Sequence, residues 1–169
     1  MDERIEVVRG DITTLDVDAI VNAANTALAG GGGVDGAIHR AAGSELVRAS
    51  SALAPCPTGE CRVTPGFALR ARYVIHAVGP RWYGGAKGEA ELLASAYRSS
   101  LQAAAEVNAS SIAFPAISTG IYGYPLDQAT AIAVDTVRAF IASNAIPERV
   151  LFCCFDALTE ETYRRALRS

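Results

Sequence analysis

With 169 residues, half of them apolar and 20% charged, the chain has the composition of a single globular domain able to bury a real core. A net charge of −3 and no basic stripe argue against a duplex nucleic-acid binder, so any anionic ligand must be held by backbone amides and helix N-termini. No apolar run approaches the roughly 20 residues of a membrane span, and the acidic start Met1-Asp2-Glu3-Arg4 lacks a signal-peptide layout, so the expected setting is cytoplasmic, without membrane contact.

In chain order, residues 5–9 alternate and read as a strand that Gly10-Asp11 breaks. Residues 19–22 form a short apolar run expected to be a buried strand. A helix is predicted over 34–42, stopped by Gly43, and a second over 44–53 with Ser44 as its cap. Pro55 and Pro57 mark a loop. Strands are expected at 60–64 and 73–78, the latter ending at Gly79-Pro80. Residues 81–88, with Trp82, Tyr83 and Gly84-Gly85, form a loop or lid. A long helix spans 89–107, with Glu89 and Glu91 suiting the dipole and Asn108 as its stop. A strand at 111–116 leads into a glycine loop. Pro125 opens a helix to about residue 142. A last strand at 149–155 and a helix at 159–167 close the chain.

This alternation predicts an α/β fold with a largely parallel sheet covered on both faces, as one domain over 1–169. Ligands in such folds collect at loops leaving the carboxyl ends of strands, here after Asn22, Val78, Ile117 and Phe155. The four cysteines, Cys56, Cys61, Cys153 and Cys154, show no common zinc spacing and read as structural thiols.

Two loops carry the functional signal. Asn22-Ala-Ala-Asn25 precedes Gly30-Gly-Gly-Gly33 and Val34-Asp35. Glycine runs let a backbone approach a ligand closely, yet a carboxylate just beyond would repel an anion, so this end suggests chemistry as well as binding. The run formally matches GxGxxG, but a detour separates it from its strand and no acid lies at the fingerprint distance. No Walker lysine is present. The second loop, Ser118-Thr-Gly-Ile-Tyr-Gly123, lies between a strand and a helix and can form an amide nest. Either loop alone reads equally well as a tight turn; together they suggest a diphosphate held from both sides.

These two loops, with Gly-Gly-Gly-Val-Asp35-Gly-Ala-Ile-His39 and Val74-Ile-His76-Ala-Val-Gly79-Pro80, resemble the macro domains, most closely the MacroD-type branch that includes bacterial O-acetyl-ADP-ribose deacetylases. The resemblance runs from Val8 to the last helix. It implies a three-layer α/β/α sandwich with a mixed, largely parallel central sheet. It also implies ADP-ribose and its esters as ligands, mono-ADP-ribosylated proteins as partners, and no cofactor or metal. Asp11 then accepts from the adenine amino group with the amide of Ile12 beside it; its other reading is a turn residue. Phe155 lies against adenine or in the core. Gly32, Gly33 and Val34 line the diphosphate on one side, and Ser118, Thr119, Gly120, Ile121 and Tyr122 on the other. Tyr122 also covers the distal ribose.

Asn25 and Asp35 are the implied hydrolytic pair. Asn25 can donate to and accept from a ribose hydroxyl, and Asp35 can orient or deprotonate a water. Alone, Asp35 reads equally well as a helix-start acid. Asn22 is expected to support the loop through backbone contacts. His39 shares a helix face with Asp35 and is an auxiliary candidate, or a structural histidine. His76 reads as structural, and Trp82 and Tyr83 as a cap over the ligand or as packing.

The expected function is metal-independent hydrolysis of ADP-ribose esters: removal of ADP-ribose from acidic side chains, and deacetylation of O-acetyl-ADP-ribose. A non-catalytic ADP-ribose reader would share every binding motif but needs no Asn25 and Asp35 pair. A phosphatase acting on ADP-ribose 1″-phosphate and a nicotinamide-dependent redox enzyme are further readings, the last opposed by the broken fingerprint.

Overall fold

The computed structural model describes residues 3–169; Met1 and Asp2, part of the acidic start, lie outside the described residues. Six strands form one sheet: β1 (Ile5–Arg9), β2 (Ala19–Ala23), β3 (Cys61–Pro65), β4 (Tyr73–Ala77), β5 (Ser111–Phe114) and β6 (Arg149–Cys154). Their spatial order is β1-β6-β5-β2-β4-β3. All neighbours are parallel except β3, which runs antiparallel to β4. Only residues 66–72 join those two strands, and no crossover helix intervenes, so the chain can return only antiparallel. The expected mixed, largely parallel sheet is therefore observed.

Five helices cover it: α1 (Gly33–Ala42), α2 (Glu45–Ser51), α3 (Glu89–Glu106), α4 (Leu126–Ala142) and α5 (Ala157–Arg168). Successive strand residues point to opposite faces, and the two cores follow that alternation. Ile20, Val74, Ala113 and Leu151 face Ile38 and Leu46 of α1 and α2. Val21, Ile75, Ile112 and Phe152 face Leu93, Leu101, Val137 and Tyr163 of α3, α4 and α5. Each such large side chain contributes about 1.5–3 kcal/mol by leaving water. This is a three-layer α/β/α sandwich, as expected.

Several ends differ from the sequence expectation for identifiable reasons. Helix α5 begins at Ala157 because the carboxylate of Asp156 accepts from the Thr159 amide at 2.8 Å as an N-cap. Pro125 caps α4 without entering it. Asn108 does stop α3: at φ +58° its amide donates to Ala105, and the Ala109 amide to Ala104, closing a Schellman turn. Residues 12–14 make a short 3-10 turn (Ile12–Thr14) capped by Asp11.

Helix α1 follows β2 onto one face, while α4 follows β5 onto the other. The loops leaving these adjacent strands therefore diverge and open a crevice at their carboxyl ends.

Candidate active site

A cleft of about 940 Å³ fills that crevice. Its walls contain Asp11, Ile12, Asn25, Gly32, Gly33, Val34, Asp35, Ser118, Thr119, Gly120, Ile121, Tyr122 and Phe155, so the structure gathers nearly every candidate residue at one place. His39 stands behind Asp35. Asn22 is 0% exposed and does not reach the wall.

The loop after β2 is shaped from within. Asn25 donates its side-chain amide to the Gly30 carbonyl at 2.9 Å. Leu28, at φ +51°, turns inward and is buried against Ala24, Cys56 and Val78. The glycines follow at the cleft surface. A Cβ on Gly31 would stand 3.2 Å from Asp35 Oδ2, a tight contact, and 3.8 Å from Asn25 Nδ2, an ordinary one, so glycine lets the backbone pass Asp35 without crowding it. Gly33 takes φ +58° as α1 starts, and the first-turn amides of α1 have no intrahelical partner.

The opposite wall is the loop after β5. Ser118 adopts φ +69°, and its carbonyl accepts from Tyr124 at 2.9 Å. Gly79 is required beneath it: a Cβ there would collide with Ser118 Oγ and would stand 2.5 Å from Ile117 Cγ2. This explains the Val-Gly79-Pro80 motif by space. The amides of Gly120, Ile121 and Tyr122 donate no hydrogen bond among the described residues. Two sets of free amides thus face each other across the cleft, the arrangement an anion such as a diphosphate requires.

At one end of the cleft, Asp35 is 5% exposed. Its Oδ1 accepts from Asn22 Nδ2 at 2.9 Å and lies 3.2 Å from His39 Nε2. No hydrogen bond reaches Oδ2 among the described residues. Burial raises the carboxyl above its ordinary value; the Asn22 amide and the His39 ring oppose that rise without cancelling it. Asn22 acts here through its side chain, which corrects the expectation of backbone support. His76 is buried, and burial lowers its pKa to about 4, so it is neutral at pH 7. Its two ring nitrogens are engaged by Asn22 and Thr64.

At the other end, Asp11 Oδ1 accepts from the amide and hydroxyl of Thr13 at 2.9 and 2.7 Å. Phe155 is 90% exposed and lies in no core cluster, which removes its core reading. The cysteines are free thiols; Cys153 lines this end of the cleft, and burial pushes its pKa up to about 11.

The sequence did not point to Arg40 and Arg81, the two arginines on the cleft wall. The Arg81 guanidinium stacks 4.6 Å from the centroid of Tyr122, a favourable cation–π distance. Trp82 packs inward against Tyr124, with ring centroids 4.6 Å apart, and its amide donates to Tyr122 at 2.9 Å. It packs under the loop and does not cap the cleft, while Tyr83 is exposed. The loop is ordered from below by Glu89, which accepts from the amides of Tyr83, Gly85 and Lys87 at 2.8, 3.0 and 2.6 Å. Burial pushes the Glu89 carboxyl up, but these amides outweigh it and hold the pKa down to about 2.

A three-layer sandwich with two amide-rich loops across a switch-point cleft, and a buried carboxylate at one end, defines a class of ligand-binding α/β domains. The Macro domain family model matches residues 21–133. A macro domain-containing protein of Mesorhizobium japonicum is 61% identical over 165 residues, covering 98% of this chain and 94% of its own. A Klebsiella pneumoniae protein named O-acetyl-ADP-ribose deacetylase is 57% identical over 168 residues, covering 97% and 96%. The Trypanosoma brucei macrodomain, solved in complex with ADP-ribose, superposes with a TM-score of 0.91 at 45% identity, over 97% of this chain and 69% of that one. The Oceanobacillus iheyensis macrodomain gives 0.93 at 44% identity, over 97% and 90%. The chain belongs to the macro domain family.

Proposed function

We propose that this protein is a hydrolase of ADP-ribose esters that deacetylates O-acetyl-ADP-ribose and releases ADP-ribose from acidic side chains of mono-ADP-ribosylated proteins. The observation that carries the reading is Asp35: a buried carboxylate with one oxygen held from behind and the other left free in a cleft lined by two amide-rich loops. The named deacetylase relatives and the ADP-ribose-bound neighbour support the ligand class.

In this reading the adenine lies between Asp11, the Ile12 amide and Phe155. The diphosphate sits between residues 32–34 and 118–122, and the distal ribose reaches Asn25, Asp35 and Tyr122. With an acetyl ester, Asp35 Oδ2 takes a proton from water as the water oxygen bonds to the carbonyl carbon. The tetrahedral intermediate then expels the ribose oxygen, which takes the proton from Asp35; this restores the carboxylate and gives acetic acid, which ionises to acetate, and ADP-ribose. The fixed diphosphate supplies orientation, and the carboxylate needs no reorganisation before it acts. With a glutamyl ester, isotopically labelled water separates attack at the acyl carbon, which labels the carboxylate, from attack at the anomeric carbon, which labels the ribose.

A non-enzymatic reader would bind ADP-ribose equally well but has no use for a free carboxylate oxygen beside the ribose. The deciding experiment incubates the protein, with chelator, with O-acetyl-ADP-ribose and separately with a glutamate-ADP-ribosylated protein. Hydrolysis that disappears in Asp35→Ala while ADP-ribose binding persists supports the enzyme. Tight binding without turnover of either substrate makes the protein a reader.

A further inference from the structure

Strand β2 is a central strand, flanked by β4 and β5, and its residue Asn22 is fully buried. Such a position ordinarily holds a Val or Ile. The register sets Asn22 beside His76 of β4, and Thr64 of β3 beside Val74, so all three side chains point to the face that carries α1. They form a continuous chain. Asn22 Nδ2 lies 2.9 Å from Asp35 Oδ1 and 3.2 Å from His76 Nδ1; His76 Nε2 lies 2.9 Å from Thr64 Oγ1; and the Thr64 hydroxyl donates to the Pro65 carbonyl at 3.1 Å.

The direction of this chain is set at its Asp35 end. The Asn22 nitrogen that meets the Asp35 carboxylate carries only hydrogens, so it donates to His76 Nδ1 as well. His76 must then carry its proton on Nε2 and present Nδ1 as an acceptor. Asn22 must turn its amide hydrogens toward His76 and Asp35. Its own Oδ1 is left buried without a partner among the described residues. An orphaned buried acceptor is costly, so the amide is accounted for by the two groups it serves, Asp35 and His76, and not by packing alone.

We propose that Asn22, His76 and Thr64 form a positioning relay that aims Asp35, holding its Oδ1 at the back of the cleft so that Oδ2 faces the substrate as a proton acceptor. The proposal rests on the reading of Asp35 as the water-activating group. None of the three relay side chains lines the cleft, so their effect reaches the reaction only through Asp35. The direction of the Asp35 shift is consistent with this: burial raises its pKa and the Asn22 hydrogen bond restrains the rise. The other titratable group acting on Asp35 is His39 on the same helix, with its ring centroid 6.3 Å from that of His76; Arg40, also on that helix, lines the cleft.

The test compares O-acetyl-ADP-ribose turnover across pH, and ADP-ribose affinity by calorimetry, for Asn22→Leu, His76→Leu, His76→Asn, Thr64→Val and Asp35→Ala. Asparagine places an oxygen near the imidazole Nδ1 position; leucine does not. Expected for Asn22→Leu and His76→Leu is a kcat about tenfold lower, an acid limb displaced upward by about one pH unit, and an ADP-ribose Kd within about twofold of the parent. His76→Asn recovers most of both losses. Thr64→Val, nearly isosteric, moves the limb the same way by less and carries the test if His76→Leu fails to fold. An unmoved acid limb in Asn22→Leu and Thr64→Val overturns the relay, as does equal behaviour of the two His76 variants. Undiminished turnover by Asp35→Ala instead overturns the functional reading itself. Loss in Asp35→Ala with normal relay variants overturns the relay alone.

Discussion

Asp35 at one end of the cleft is 5% exposed and already engaged on its Oδ1 by Asn22 and His39, whereas Phe155 at the other end is 90% exposed and joins no core cluster among the described residues. In the proposed reading, one end is assembled before the ligand arrives and the other is completed by it. A buried, prearranged acceptor is what bond-breaking demands, since reorganisation during reaction adds to the barrier. An open aromatic face suits binding, where a flat base supplies the missing neighbour by stacking. The two amide-lined loops lie between, and glycine sets how closely their backbones pass: Gly79 leaves no room for a Cβ, and one on Gly31 would crowd Asp35.

The contrast predicts that variants at the two ends alter different measurements. Asp35→Ala has the largest expected effect: hydrolysis of O-acetyl-ADP-ribose falls by about 10²-fold or more, while ADP-ribose Kd by calorimetry stays within about threefold. A parallel loss of both would merge the two ends. Phe155→Ala weakens ADP-ribose binding by about tenfold, with turnover at saturating substrate preserved. Asp11→Asn keeps an oxygen to cap the Thr13 amide, so Tm is unchanged. Its amide group, placed against the adenine amine, weakens binding by about three- to tenfold.

The smallest expected effect lies outside both ends. Glu89 has a folded pKa of about 2, below its ordinary 4.5, so its contribution to stability is complete above pH 4.5 and is lost as pH falls from there toward 2. Glu89→Gln therefore lowers Tm by a few degrees at pH 7, and the gap to the parent narrows as pH approaches 2. A gap independent of pH would mean that the carboxylate's charge does not order the loop above α3.

The glycine loops, the Asn25 and Asp35 spacing and the strand–helix alternation were legible because each is local: a few adjacent residues state the backbone they need. What escaped was made by the sheet. Residues 22, 64 and 76 are far apart in the chain, and only the β2–β4–β3 register lays them side by side. His76 could be read as structural, but not as the partner of Asn22. Arg81 was hidden for the same reason, because its place over Tyr122 depends on how the loops after β4 and β5 meet. Helix ends moved by one or two residues, as at α5, which begins where Asp156 caps it. The antiparallel course of β3 followed from the short span between it and β4, a constraint of chain length and not of residue type.

Trp82 is the chain's single tryptophan, and its position makes the protein its own optical probe. The indole packs on Tyr124, and its backbone is tied to the carbonyl of Tyr122, on the wall opposite Asp35's loop. Intrinsic emission excited at the red edge of the protein band therefore comes from one site only. A ligand that draws Tyr122 inward changes the surroundings of that one fluorophore, so occupancy of the cleft can be followed in real time without a label, a fusion or a radioactive nucleotide.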